Sequence, residues 1–415
     1  MNNTPISVCM FTNLYPPVVS GSSTQSAALA RELARRGHPT TIITARVARE
    51  SQEYEIVDGV HIYRLPALHL PQAAIALNFP WLNFTFTPAN QRRIQKIINQ
   101  HKPDVIHLHN HMFDLGFSAV RIAKKNNIPF VITVHTLIKH PNRFYNLFLY
   151  PADRVLIKHA VIDKAQTLIC PDATIEEYVF EAFGKTNTAL IPYGIGLPPQ
   201  ADPQMIAQIK EKYHLPSGPI ILSLGHVHDI RNRLDLLKAM PSIIACFPNT
   251  ALVIIGAIGT NTTEALARKL GIIDSVIFTS AVPHSEALGL LQIADIEAHW
   301  IQENNPQTKS LGIAALEAMG AGKAVFNTAE ENVYGKGVLQ DGQNYTRVEV
   351  GQPDQVAQKI IQVLSDSEKR TAIGEQAKEL IIKHFSWDSV CSKTLDLYRN
   401  LIKEHICQKP NSLKQ

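Results

Sequence analysis

The stretch PDVIHLHNHMFDLGFSAVRIAKKNNIPFVITVHT, residues 103–136, decides the fold. DVIHLH (104–109) and FVITVHT (130–136) are short runs with apolar residues on both sides of the chain, which is how strands of a parallel sheet covered on both faces read. Residues 115–127 between them have the period of a helix. Strand, helix and parallel strand make one unit of a doubly wound α/β sheet.

The same alternation runs outward in both directions. Before and after it, strands are expected at 6–13, 40–44, 167–172 and 188–194, with helices at 23–36, 90–101, 152–163 and 174–183. A second series places strands at 219–225, 251–257, 276–280, 296–300 and 324–328 and helices near 232–246, 261–270, 284–293 and 311–320. Between the series lies a proline- and glycine-rich seam, residues 194–219, and the boundary falls near Gly194 to Pro198. From about 352 to 406 the chain reads as helical, and the last of these helices, about 389–406, is expected to cross back to the first domain. The expected division is therefore 1–197 with that helix, 198–388, and a polar tail at 407–415.

Composition limits what such a chain does. It has 415 residues, 45% hydrophobic and 18% charged, which excludes a disordered chain, a collagen-like chain and a disulfide mini-protein. Forty Lys+Arg against thirty-six Asp+Glu leave +4, too little over this length to make nucleic acid an expected partner. Five scattered cysteines without a C-x-x-C pair read as buried or free thiols of a reducing compartment. The start, MNNTPISVCMFTN, has no basic segment followed by a long apolar one, and no run is long enough to span a bilayer. A cytoplasmic protein is expected.

Ligands of doubly wound sheets bind beyond the strand C-termini, so the loops there carry the chemistry. The first, NLYPPVVSGSSTQSAALARELARRGH (13–38), runs from a strand through Ser20-Gly21-Ser22-Ser23 into an amphipathic helix. It reads either as an approach to phosphate at a helix N-terminus or as an ordinary turn capped by Ser22 or Ser23. The second, IHLHNHMFDLG (106–116), carries His107, His109 and His111 on what reads as one strand face. No fourth ligand follows, so a metal is not expected. His109 at the strand end, and His135 at the end of the next, read as cleft residues that bond a polar substrate, or as satisfied structural histidines. The third, WIQENNPQTKSLGIAALEAMGAGKAVFNT (300–328), ends a strand at Trp300 and opens a helix near Leu311, with Gly312 in its first turn, Lys309 beside it and Glu317 within it. A glycine-bearing helix start beside a cation suits an anion, and a lone carboxylate suits vicinal hydroxyls.

With those residues in view, the chain resembles the retaining glycosyltransferases of family 4. The resemblance runs through YPP-x-x-x-G, PDVIHLH, VITVHT, LIPYGI, LSLGHVHDIRNRLDLLKA, AVPHSEALGLLQIADI, LGIAALEAMGAGKAV and the closing FSWD. It implies the GT-B fold, two Rossmann-like domains facing across a cleft. It also implies transfer of a hexose from a nucleotide diphosphate donor, usually UDP-linked, with retention and without a metal or other cofactor. By position, Gly21 falls in the loop near the donor phosphates and His109 at the donor sugar and reacting centre. Glu317 matches the glutamate that holds the ribose. The stretch Ser310, Leu311, Gly312 and Ile313 lies where backbone amides meet the diphosphate or sugar, and Ala281 and Val282 where backbone reads the nucleobase. Gly225, His226 and Arg231 follow the first strand of the second domain, where the family carries Arg and Lys. The family's first glutamate is Lys309 here, so the catalytic set implied is His109, Lys309 and Arg231.

On the acceptor side the candidate residues are Ser22, His135 and Tyr145. Two aromatic segments, 76–88 and 140–160, mix rings such as Tyr145 with cations. They suit a lipid-linked acceptor at a membrane surface, a sugar-stacking platform, or plain core burial. The reading is a UDP-glucose-type hexosyltransferase of bacterial polysaccharide or glycoconjugate assembly, acting on a glycan or lipid-linked acceptor. Its alternative is a nucleotide-sugar-binding partner or scaffold that has lost catalysis with the glutamate replaced by Lys309.

Overall fold

The computed structural model describes residues 4–18, 20–48, 51–69, 83–139, 143–200, 202–225, 233–300 and 309–407. The chain forms two compact units, Met1–Gly194 with Trp387–Gln415, and Ile195–Ser386.

In unit 1 the strands are β1 (Val8–Thr12), β2 (Thr40–Ala45), β3 (Tyr54–Val57), β4 (Val60–Leu65), the short pair β5 (Leu68–His69) and β6 (Asn83–Phe84), β7 (Val105–His109), β8 (Phe130–Thr133), β9 (Thr167–Cys170) and β10 (Thr188–Leu190). Its helices are α1 (Gly21–Arg35), α2 (Pro88–His101), α3 (Leu115–Asn126), α4 (Arg143–Pro151), α5 (Lys158–Ala160) and α6 (Ala173–Phe183). The main sheet runs β10-β9-β8-β7-β1-β2-β4-β3, parallel except for β3. Every residue of β1, β2, β7, β8 and β9 is buried, so both faces are covered, as near-continuous apolar runs require.

Unit 2 has α7 (Pro203–Lys212), β11 (Ile220–Leu224), α8 (Leu234–Cys246), β12 (Ala251–Ile255), α9 (Thr262–Lys269), β13 (Val276–Ser280), α10 (His284–Ile293), β14 (Ile296–Ala298), α11 (Ile313–Gly320), β15 (Ala324–Asn327), β16 (Thr346–Arg347), α12 (Pro353–Ser365) and α13 (Ser367–Leu380). Its parallel sheet runs β13-β12-β11-β14-β15-β16. The last helix, α14 (Trp387–Cys407), belongs to unit 1, where it lies beside α1. Arg36 ties the two helices, bonding Asp388 at 2.7 Å and Ser392 at 2.9 Å.

Several elements differ from the sequence reading. The hairpin β3–β4 is missing from it, although Asp58-Gly59, both at positive φ (51° and 79°), is the turn that two-residue hairpins favour. The seam contains α7, started by Asp202 capping the Gln204 amide and by Pro203 in its first turn. The helix expected at 152–163 begins at Arg143 and passes through a π-helical stretch, Ala152–Ile157, before α5. The strand expected to end at Trp300 ends at Ala298, and the following helix starts at Ile313 with Gly312 as its cap. Among the described residues no helix is long and apolar enough to cross a membrane. Cys9, Cys170 and Cys391 are buried and unpaired, and Cys246 and Cys407 are exposed.

Candidate active site

The site in unit 1 follows from strand order. From β1 the chain moves to β2 on one side, and from β7 to β8 on the other, so the C-terminal ends of β1 and β7 form the point where the winding reverses. Thr12 pairs with His109 in that register, which puts Asn13, His109 and Asn110 on one edge. Both polar atoms of the Asn13 side chain, Nε2 of His109 and Oδ1 of Asn110 are buried with no partner among the described residues. Buried polar groups are nearly always bonded, so unpaired ones gathered where such sheets bind ligands point to a ligand. Asn13 and Asn110 were not singled out from the sequence, where an asparagine after a strand reads only as a turn residue.

The histidines divide. His107 and His109 share a face of β7, with ring centroids 4.1 Å apart. His111 does not join them, contrary to the expectation of a common face. The strand ends at His109, Asn110 takes a positive φ of 73°, and His111 Nε2 lies 3.1 Å from Asp153 Oδ1. Among the described residues no group of three or more His, Cys, Asp or Glu side chains is arranged to hold a metal ion.

His107 is fixed at both ring nitrogens, by the Tyr398 hydroxyl of α14 at 2.6 Å and by Thr133 Oγ1 at 2.7 Å. Burial holds its pKa down, to about 3, and burial with the neighbouring imidazoles holds His109 well below the ordinary histidine value. His109 Nδ1 lies 3.0 Å from His135 Nε2, and His135 Nδ1 lies 3.2 Å from the Tyr193 hydroxyl. His135 and Tyr193 stack at 5.6 Å between centroids, nearly parallel. The cluster surrounds a cavity of about 30 Å³ that reaches Gly194 and Trp387, room for a water molecule or two. Gln25 clamps Gly194 through both backbone groups, each at 3.1 Å. A Cβ on Gly194 would stand far inside van der Waals contact of the Trp387 ring, which is why glycine stands there.

At the start of α1 the cap is Ser20, not Ser22 or Ser23. Its hydroxyl accepts from the Ser23 amide, and the Ser23 hydroxyl accepts from the Ser20 amide, a reciprocal pair that closes the first turn. Gly21 is exposed, and among the described residues beyond its own turn no heavy atom lies within 4 Å of where a Cβ would stand; Ser22 Oγ lies 3.3 Å from Ser20 Oγ. Tyr145 is half-buried on α4, edge-on to Phe144.

Unit 2 has the corresponding reversal between β11 and β14. β11 runs into Gly225, whose φ of 115° suits glycine and whose amide bonds the Ile255 carbonyl at 2.9 Å. The Gly225 carbonyl accepts from Arg233 at 2.6 Å, and this buried guanidinium also bonds Ser223 Oγ at 2.8 Å. Arg233 was missed, because the sequence offered Arg231 two residues earlier. Arg231 and His226 lie outside the described residues.

After β14, Gly312 caps α11. The Leu311 amide donates to the Tyr334 hydroxyl at 3.1 Å, which donates in turn to the Leu311 carbonyl at 3.2 Å. Lys309 Nζ stands 3.7 Å from Glu330, both about half exposed, and Ser310 lies between Lys309 and Leu311 with Ile313 partly exposed. Glu317 is three-quarters shielded, and burial raises its pKa against the pull of His284, 3.9 Å away. Beside Gly312, the fully buried Glu297 and His299 bond one another. Ala281 and Val282 form the exposed and half-buried turn that leads from β13 into α10.

Residues 19–197 match Glycosyltransferase Family 4, and residues 205–380 match Glycosyl transferases group 1. The alpha-monoglucosyldiacylglycerol synthase of Streptococcus pneumoniae is 25% identical over 340 residues, 80% of this chain and 73% of that one. Among solved structures, the glycosyltransferase from Rickettsia africae superposes with a TM-score of 0.73 at 18% identity, covering 96% of this chain and 99% of its own. Anabaena Alr3699/HepE, crystallised in complex with UDP-glucose, gives 0.67 at 14% identity over 95% of this chain and 100% of its own. Two parallel Rossmann-like sheets, each with its polar residues at the strand reversal, and matches over both halves of the sequence lead to one conclusion: the chain belongs to the group 1 glycosyltransferases of GT-B fold, enzymes that move a sugar from a nucleotide donor.

Proposed function

We propose that this glycosyltransferase uses a UDP-linked hexose, UDP-glucose first among candidates, retains the anomeric configuration, requires no metal, and extends a glycan or lipid-linked acceptor. The observation that carries the reading is Glu317, a shielded carboxylate on the helix that follows the β11/β14 reversal, where two adjacent ribose hydroxyls can donate to it. In the transfer the bond between the anomeric carbon and the diphosphate oxygen breaks, the acceptor hydroxyl oxygen bonds that carbon, and its proton passes to the departing diphosphate oxygen. The diphosphate leaves with added negative charge. Among the described residues of unit 2, Lys309, on a half-exposed stem, and Arg233, behind the Gly225 turn, are cations suited to stabilise it, the first by contact and the second through the turn it holds.

The acceptor side gains support from α4. Phe144, Leu147 and Phe148 are 60%, 68% and 65% exposed, Val155 and Leu156 follow in the π-helical stretch, and Arg154 sits over the Tyr150 ring at 4.7 Å. An apolar face flanked by cations suits peripheral contact with an anionic membrane and thus a lipid-linked acceptor.

Calorimetric titration with UDP, GDP and ADP in chelator, then with UDP-glucose and GDP-mannose, tests the donor. Preferential UDP binding, weakened by Glu317→Ala, is expected; preference for GDP would reassign the donor. Turnover that falls about tenfold or more in Lys309→Ala fits a charge-stabilising role. Tight UDP binding without transfer to any acceptor or hydrolysis of the donor would instead favour the scaffold reading. Cosedimentation with vesicles containing phosphatidylglycerol, set against phosphatidylcholine alone, tests the α4 surface.

A further inference from the structure

His109 ends with one ring nitrogen bonded and one unpaired, and the rest of its hydrogen-bond chain decides what the unpaired one offers. Burial and mutual repulsion keep the imidazoles neutral at pH 7, so each ring carries one N–H. The Tyr193 phenol stays protonated and has two acceptors within reach, His135 Nδ1 at 3.2 Å and the His135 carbonyl at 3.4 Å. The nitrogen is the nearer of the two and is the acceptor on this reading. With the phenol proton on that side, His135 Nδ1 must be bare and the ring proton must sit on Nε2. His135 Nε2 faces His109 Nδ1 at 3.0 Å, a gap that holds one hydrogen, so His109 Nδ1 is bare in turn. The remaining proton is then on His109 Nε2, the atom buried without a partner among the described residues at the C-terminal end of β7.

We propose that Tyr193 and His135 are positioning residues that fix the tautomer of His109, so that it presents an Nε2–H donor to an oxygen acceptor on the sugar substrate. The part concerning substrate rests on the reading under Proposed function; the tautomer does not. The arrangement differs from a histidine serving as a base, because Nε2 then has no lone pair to offer. It also moves His135 from the acceptor side to a place behind His109. His107, held separately by Tyr398 and Thr133, takes no part in the chain.

The test is a long-range ¹H–¹⁵N correlation on the full chain labelled with ¹⁵N-histidine at pH 7, with His109 assigned by its loss in His109→Gln. The expected pattern is the Nε2–H form for His109 and His135. Tyr193→Phe removes the proton that holds His135 and is expected to leave His109 as a mixture of tautomers in a folded protein. His135→Gln can still place an amide N–H against His109 Nδ1 and is expected to keep the Nε2–H form, whereas His135→Leu loses it. With transfer assayed on the same proteins, kcat/KM falls about five- to tenfold in Tyr193→Phe and more in His135→Leu, and returns in His135→Gln. An Nδ1–H form of His109 in the wild type, or a His109 pattern unchanged by both Tyr193→Phe and His135→Leu, would overturn the proposal. The expected tautomers without any nucleotide-sugar binding would leave the assignment of the ring standing and remove the functional reading on which its substrate rests.

Discussion

The two strand reversals are built alike and filled differently. In unit 1 the edge of β1 and β7 gathers neutral, buried rings, His109 bonded to His135 with Tyr193 behind it, and His107 held by Tyr398 and Thr133. In unit 2 the edge of β11 and β14 gathers charged groups, Lys309 half exposed, Glu317 largely shielded and Arg233 under the Gly225 turn. Neutral rings in a dry sheet can orient hydroxyls without attracting counter-ions, while charges at a partly open helix start can meet and release a nucleotide diphosphate. On the proposed function, the neutral rings of unit 1 suit sugar hydroxyls and the charged groups of unit 2 suit a diphosphate.

The largest way to break the comparison is acid. His107 and His109 have their folded pKa values depressed below the unfolded value near 6.5, so the unfolded chain binds more protons and stability falls as pH drops below about 6.5. For His107 the loss continues down to its folded value of about 3. Each group contributes about 1.4 kcal/mol per pH unit in that window. Glu317 has the opposite sign: its raised pKa adds stability below the unfolded carboxylate value, lost as pH rises through the folded one. Amide exchange followed from pH 7 to pH 4.5 should show unit 1 opening before unit 2. Equal loss of protection in both would dissolve the distinction.

Gly194→Ala comes next. Its methyl group must displace Trp387 or strip the Gln25 clamp, and overpacking of this kind costs about 1–3 kcal/mol. Denaturant unfolding should show that loss with Trp387 fluorescence altered, and an unchanged midpoint would mean that the α14 contact yields freely.

Glu317→Gln sharpens the unit 2 side. Charge-assisted hydrogen bonds are worth about 1.5–3 kcal/mol, so UDP affinity should fall roughly ten- to a hundredfold while the melting temperature hardly moves. An unchanged Kd would place the ribose elsewhere.

The smallest effect is on stability in Lys309→Ala. A half-exposed pair with Glu330 at 3.7 Å contributes about 0–1 kcal/mol, so the unfolding midpoint should stay within error even where turnover falls. A clear loss of stability would make Lys309 a structural residue.

Much of this was legible in the residues. The buried β7 and β8 announce themselves because a strand covered on both faces has no polar side to show. Glu317 and Gly312 stand out in the sequence as a lone carboxylate and a glycine at a helix start after a strand, where the resemblance places the donor. The β3–β4 hairpin was passed over although Asp58-Gly59 signals it, because attention to parallel strands hides an antiparallel edge. His111 could not be separated from His107 and His109 by alternation alone, since only the backbone reversal at Asn110 ends the strand before it.

By itself, then, the sequence determined the periodicities, and with them two parallel α/β sheets and the loops that follow their strands. Tertiary structure decided partners. That Tyr398 from α14 bonds His107, that His135 turns its Nε2 onto His109, and that Asp153 draws His111 away are contacts between residues 26 to 291 positions apart. Local spacing fixes which face of an element a side chain occupies; only the packing of distant elements fixes which atom it meets there, and a hydrogen bond or a tautomer is a property of that meeting.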